Sequence, residues 1–201
     1  MYCIQVKAAY KQLCKAITAQ LLDLDTRAVV SLLRCFSKLA AVDQQLLPQQ
    51  LWGDLLHIST NMMDDFSPQQ LAMLVYAVAQ ANHWAQVKPS RRWWMLLFQS
   101  SQYSMSRFTP QGFANMVWAM GKLQRRPGTD WATALYKATE MQLGLFTPQG
   151  LANLGSGLGH MNGLGLGGLP RPSQRWMQAY LAAAVQQLDG FSSQGLANLL
   201  W

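Results

Sequence analysis

Charge is scarce in this chain. Only 12% of its 201 residues are Asp, Glu, Lys or Arg, and nine of those are acidic, while half of all residues are hydrophobic. Five of the nine acids (Asp23, Asp25, Asp64, Asp65 and Asp189) fall in stretches that read as turns. No pair of carboxylates is therefore expected inside a helix layer for acid–base work. Cysteine is nearly missing too: Cys3, Cys14 and Cys35 are odd in number and lack a metal-binding spacing, which leaves buried thiols in a reducing compartment as the reading. His57, His83 and His160 stand far apart and share no motif. HExxH, GxSxG, GxxxxGK and CxxC do not occur, so the chain is expected to be no enzyme and to need no cofactor or metal. No segment alternates as a strand would. Residues 141–170 carry no Asp, Glu, Lys or Arg, but Pro148, His160 and a series of glycines break them, which excludes a bilayer span. Nor do the first residues read as a signal or transit peptide, because they already follow the pattern described next; any address would lie upstream.

What the chain has is repetition. Phe, a hydroxyl residue, then Gln recur as Phe66-Ser67-Pro68-Gln69, Phe108-Thr109-Pro110-Gln111, Phe146-Thr147-Pro148-Gln149 and Phe191-Ser192-Ser193-Gln194, at spacings of 42, 38 and 45 residues. A degenerate copy, Leu24-Asp25-Thr26-Arg27, stands 42 residues before the first. A second signature interleaves with it. Pro48, Pro89, Pro127 and Pro172 each precede a tryptophan by four residues: Trp52, Trp93, Trp131 and Trp176. A period near 40 residues means stacked like units.

One unit reads as two helices. With Phe108 as position zero, Thr109 suits an N-cap and Pro110 the first helical position. Phe113, Met116, Val117 and Met120 then make one apolar face, flanked by the small residues Ala114, Ala119 and Gly121. Phe108 is placed to staple the turn into this helix A. A second helix, B, starts near the Trp, and Trp131, Leu135 and Tyr136 give it an apolar side; the four B tryptophans are assigned to the core. A single hairpin cannot bury two apolar faces. The fold class is therefore all-α: an α-α superhelix, or solenoid, of stacked hairpins with a period of about 38–45 residues. The units run 24–65, 66–107, 108–145 and 146–190, with a lone helix B in 1–23 and half a helix A in 191–201. No polar capping repeat is visible, so the sequence reads as a piece of a longer array. Gly155, Gly157 and Gly159 should weaken the fourth helix A by roughly 1 kcal/mol each, and the Gly-rich piece Asn162–Gly168 reads as a long A-to-B loop.

The net charge of +7 favours an anionic partner. Seven of the 16 basic residues, Lys88, Arg91, Arg92, Arg125, Arg126, Arg171 and Arg175, lie in or beside the A-to-B loops. Stacking should make that rim positive and the opposite, acid-bearing rim negative. Helix dipoles account for the acids but poorly for Arg91 and Arg92, which adjoin the start of a helix B.

Offsets +3, +7, +10 and +14 form the face of helix A opposite its apolar side. They read Arg27, Ser31, Arg34, Lys38; Gln69, Met73, Tyr76, Gln80; Gln111, Asn115, Trp118, Lys122; Gln149, Asn153, Ser156, His160; and Gln194, Asn198, Trp201. Amides, rings and cations are the side chains that bind single-stranded RNA, through base edges, stacking and phosphate. The plain alternative is a solvated face. The near-constant Gln at +3 suits capping or cross-linking of hairpins as well as contact with RNA. Trp118 suits a wedge between A helices as well as a stacking platform. The varied positions +7 and +14 are the better base readers.

The run 108–119, Phe-Thr-Pro-Gln-Gly-Phe-Ala-Asn-x-x-Trp-Ala, together with Pro-x-x-x-Trp, resembles the octotricopeptide repeat (OPR) proteins of green algae, which look related to the leucine-rich helical region of FAST-kinase-like mitochondrial proteins. The resemblance covers about residues 24–201. It implies an α-solenoid that binds organellar transcripts and acts in their stability, processing, splicing or translation, in the chloroplast stroma or alternatively the mitochondrial matrix. It puts RNA on the helix A face, chiefly Ser31, Lys38, Met73, Gln80, Gln111, Asn115, Trp118, Lys122, Gln149, Asn153, His160 and Asn198, with protein partners in a ribonucleoprotein complex. A protein-binding scaffold on the same solenoid is the rival reading, and it would need exposed aliphatics in the groove.

Overall fold

The computed structural model describes residues 2–163 and 168–199. Ten helices follow one another among them: α1 (Tyr2–Ala19), α2 (Thr26–Val42), α3 (Gln49–Asn61), α4 (Pro68–Ala81), α5 (Arg91–Tyr103), α6 (Pro110–Lys122), α7 (Thr129–Glu140), α8 (Pro148–Asn162), α9 (Gln174–Val185) and α10 (Ser193–Leu199). No strand occurs among the described residues. The even-numbered helices are the A helices and the odd-numbered ones the B helices. Each A helix packs on the next A helix, and from α3 onward each B helix packs on the next B helix, which makes a two-layered solenoid.

The A helices start where the repeated motif predicts. Asp25, Ser67, Thr109, Thr147 and Ser192 each accept a hydrogen bond from the backbone N–H three residues on, at 2.7–3.3 Å. One such cap contributes about 1 kcal/mol. Phe108 stacks on Phe113 with ring centroids 5.3 Å apart, the contact expected of a hydrophobic staple. The first of the Pro-capped helices adds a reciprocal bond, Ser67 N–H to Gln70 Oε1 at 2.8 Å.

Two features of the repeat escape a reading by helix alone. Each B helix reaches the next A helix through a 3-10 turn, at Leu21–Asp23, Met63–Asp65, Met105–Arg107, Leu143–Leu145 and Leu188–Gly190. The residue three before the Phe anchors this turn, and Met63, Met105 and Leu143 are all buried. The second feature is a ladder of tryptophans. Trp93 Nε1 donates to Ser59 Oγ, Trp131 Nε1 to Ser101 Oγ and Trp176 Nε1 to Thr139 Oγ1, each at 2.9 Å. Every acceptor is fully buried and passes its own proton to a carbonyl one turn back. Trp52, Trp93, Trp131 and Trp176 are themselves at most 2% exposed. Burying an indole this way stabilises by roughly 5 kcal/mol before entropy is subtracted.

The ladder also sets the geometry of the two layers. The hydroxyl stands seven or eight residues after its own unit's Trp, about two helical turns. Each B helix thus begins beside the C-terminal half of the previous one. The A helices, in contrast, lie in register: Asn115 meets Met73 and Trp118 meets Tyr76, equivalent positions one repeat apart. A slanted B layer under an aligned A layer is the result.

Glycine in α8 has a packing role besides its expected cost in helix propensity. That helix runs unbroken from Pro148 to Asn162. A Cβ on Gly157 would stand 2.5 Å from the Val117 carbonyl oxygen, and one on Gly121 would stand 2.8 Å from Gly157 Cα. The backbones of α6 and α8 therefore touch, which only glycine permits. Gly155 leaves room for the Tyr180 hydroxyl to donate to the Leu151 carbonyl at 2.9 Å, tying α9 to α8. Of the loop read at 162–168, residues 164–167 lie outside the described residues. At the end of α6, Gln124 takes a positive φ of 52° and completes a C-terminal motif, with Arg125 N–H bonded to Met120 O and Gln124 N–H to Gly121 O.

Candidate nucleic-acid interface

The apolar sides of the A helices face the interior: Leu71, Leu74, Val75 and Val78 in α4, and Phe113, Met116, Val117 and Met120 in α6, are buried. The opposite side is consequently turned outward. Gln69, Gln111, Gln149 and Gln194 at offset +3 are exposed. At +7, Ser31 is exposed, and Met73, Asn115, Asn153 and Asn198 are half-buried between neighbouring A helices. At +14, Lys38, Lys122 and His160 are exposed and Gln80 is half-buried. Because the A helices are in register, these side chains line up across the layer into continuous rows.

Contacts along the rows hold them in place. Tyr76 and Trp118 lie ring against ring, 5.0 Å between centroids and 36° between planes, and Lys122 Nζ sits 4.9 Å from the Trp118 ring. Such a cation over an indole contributes about 0.5–1 kcal/mol at an exposed site. Trp118 therefore wedges against α4, as one of its two expected roles required, and stays half-buried. Gln111 Nε2 donates to Asn115 Oδ1 at 2.9 Å, and Gln194 Nε2 to Asn198 Oδ1 at 3.1 Å. These glutamines pair within their own helix and do not cap it. The cross-link between hairpins comes from the next residue instead: Gln70 Nε2 donates to Thr26 Oγ1 at 3.0 Å. Ser37 donates to Gln80 Oε1 at 3.3 Å and joins α2 to α4 at the other end. Ser156, placed on the face by its spacing, is only 7% exposed, because the close approach of α6 and α8 covers it. His160 Nδ1 lies 2.7 Å from the Ser156 carbonyl, which fixes the ring along α8. Trp201 lies outside the described residues.

Hollows follow the same rows. One of about 540 Å³ lies between α2 and α4 and is lined by Arg27, Ser31, Arg34, Gln69 and Met73 among others. Another of about 470 Å³ spans α4 to α10, walled by Tyr76, Trp118, Gln149, Asn153, Gln194 and Asn198. A smaller one of about 120 Å³ lies between α6 and α8, bounded by Trp118, Lys122, Ser156 and His160. Among the described residues, no exposed large hydrophobic side chain stands at +3, +7, +10 or +14.

The rim departs from expectation at three cations. Arg175 Nε lies 2.7 Å from Glu140 Oε1, because the slanted B layer brings the start of α9 alongside the end of α7. Arg126 is half-buried, with Nε and Nη2 enclosed, so it is no open rim charge. Lys88 turns its Nζ back onto the Asn82 carbonyl, and burial lowers its pKa. Arg91, Arg92, Arg125 and Arg171 are exposed, with the Arg125 guanidinium 5.3 Å from the Trp94 ring. The negative rim is also partly consumed locally, since Asp25 caps α2 and Asp64 accepts the Ser100 hydroxyl. Sequence reasoning missed the buried hydroxyls of the tryptophan ladder, although their fixed distance from each Trp was available as a signal.

No group of three or more His, Cys, Asp or Glu is placed to hold a metal among the described residues, and no described helix is long and apolar enough to cross a membrane. No curated protein matches the chain. A protein family does, over residues 12–201, and its description is Tbc2 translation factor, N-terminal domain. With nearly the whole solenoid inside that match, the chain belongs to the family of Tbc2 translation factor N-terminal domains.

Proposed function

We propose that the chain binds single-stranded RNA along the outward face of its A helices, and acts on an organellar transcript by occupancy, without chemistry of its own. The observation that carries this reading is the in-register row of amides, rings and cations, with Trp118 in contact with both Tyr76 and Lys122. Membership of a translation-factor family supports a role in translation. The likeness to octotricopeptide repeat proteins supports a chloroplast transcript, with the mitochondrion as the alternative, and stability or processing as further steps. A peptide groove would present aliphatic side chains, and the face presents Gln, Asn, Lys and Arg.

Fluorescence anisotropy with labelled single-stranded RNA tests the reading. The logarithm of affinity should fall with the logarithm of salt by about 0.7 for each phosphate neutralised. Replacing Arg91, Arg92 and Arg125 by Gln should reduce that slope by about 2 and weaken all sequences alike. An unchanged slope in the triple variant would argue strongly against rim contacts, and salt-independent or undetectable RNA binding would overturn the proposal.

A further inference from the structure

The hollows along the A layer differ in chemistry. The one between α2 and α4 carries two guanidinium groups, Arg27 and Arg34. The one that spans α4, α6, α8 and α10 carries no charged side chain at all. Its wall is the Tyr76–Trp118 pair, and its rim holds four amides, Gln149, Asn153, Gln194 and Asn198. A phosphate would find no cation inside it, and Asp189 adjoins its Gly190 edge. An uncharged ring fits better. The volume, about 470 Å³, falls within the range of about 300–1,000 Å³ typical of small-ligand sites.

We infer that this hollow takes one unpaired base of the bound strand, and that the base is adenine. The inference rests on the RNA reading above and adds which base is selected and where. Three arguments converge. First, an aromatic wall supplies a stacking surface for any base, which favours a flat ring over a peptide side chain. Second, amides dominate the polar groups around it, four of them beside the Ser192 hydroxyl and the Tyr76 phenol. Side-chain amides pair with adenine by donating to one ring nitrogen and accepting from the exocyclic amine. Guanine is met most often by Arg or Lys, and cytosine by Asp or Glu, and neither type lines this hollow. Third, the amides are set in place. Gln194 Nε2 donates to Asn198 Oδ1 at 3.1 Å, which orients both amides and leaves Gln194 Oε1 as an acceptor and Asn198 Nδ2 as a donor. Lys122, pinned over Trp118, stands outside the hollow where the backbone of such a strand would pass.

The test uses the whole chain and short oligouridylates that are identical except for one central nucleotide: A, G, C or U. The adenosine oligomer should bind about tenfold more tightly than the all-uridine one. The double variant Asn153→Ala, Asn198→Ala should erase that preference, so that the variant binds the adenosine oligomer no more tightly than it binds oligouridylate. Trp118→Phe should keep it. Equal affinity for all four oligomers, or an adenosine preference that survives the double variant, would overturn the inference while the RNA reading stands. Adenosine monophosphate that binds as tightly as the oligomer would make this a free-nucleotide pocket and overturn the strand-bound assignment. Failure of every oligomer to bind would overturn both.

Discussion

Two tyrosines that pack on the same indole, Trp176, show how single groups set stability here. Tyr136 in α7 packs edge-on against Trp176, but its hydroxyl is buried without a hydrogen-bond partner. Tyr180 in α9 donates to the Leu151 carbonyl. Burial pushes both phenols up to about 12, from the ordinary value of 10.0. An orphaned buried hydroxyl costs about 1–3 kcal/mol, whereas a satisfied one contributes about 1 kcal/mol. Tyr136→Phe should therefore raise the unfolding midpoint, and Tyr180→Phe should lower it, in denaturant titrations followed by circular dichroism. The pH dependence has a definite sign. A phenol whose folded pKa is raised gives its full stabilisation below pH 10, and that is lost as pH climbs through about 12. The advantage of Tyr136→Phe over the parent chain should thus grow between pH 10 and 12; a constant advantage would show that folding leaves the Tyr136 phenol unshifted.

Helices and their contacts were legible to different depths. Thr109 and Phe108 were readable in full, since an N-cap and a staple are local chemistry and need only neighbouring residues. The outward face of α6 was readable for the same reason: the buried positions Phe113, Met116 and Val117 fix where Asn115 and Trp118 must point. Gly157 was legible only in part. Its helix propensity is local, but its purpose is the approach of α6, 36 residues earlier at Gly121. The pairing of Arg175 with Glu140 was hidden as well, because it depends on the slant of the B layer, which rests on Ser101 and Thr139 catching the next unit's indole. The glycine contact gives a prediction at this scale. Gly157→Ala places a methyl against backbone at Val117, which cannot rotate away, so it should cost about 1–3 kcal/mol in spite of alanine's better helix propensity. Gly144→Ala, with nothing within 4 Å of the added carbon, should stay within about 0.5 kcal/mol of the parent. Equal midpoints for the two variants would mean that α6 and α8 do not touch through their backbones.

At the scale of the whole molecule, one layer provides support and the other provides display. The B layer is built on indoles and buried hydroxyls, and its slant carries each turn to the start of the next A helix. The A layer keeps equivalent side chains in rows, with the cationic hollow at Arg27 and Arg34 toward one end and the uncharged aromatic–amide hollow toward the other. A strand laid across those rows would meet guanidinium groups toward one end of the layer and rings with amides toward the other. Photocrosslinking tests this most directly: single-stranded RNA is irradiated on the intact chain and the modified peptides are mapped. The account predicts adducts in α4, α6 and α8, at or beside Tyr76, Trp118 and Asn153. Adducts confined to the B helices α3, α5 and α7 would contradict it.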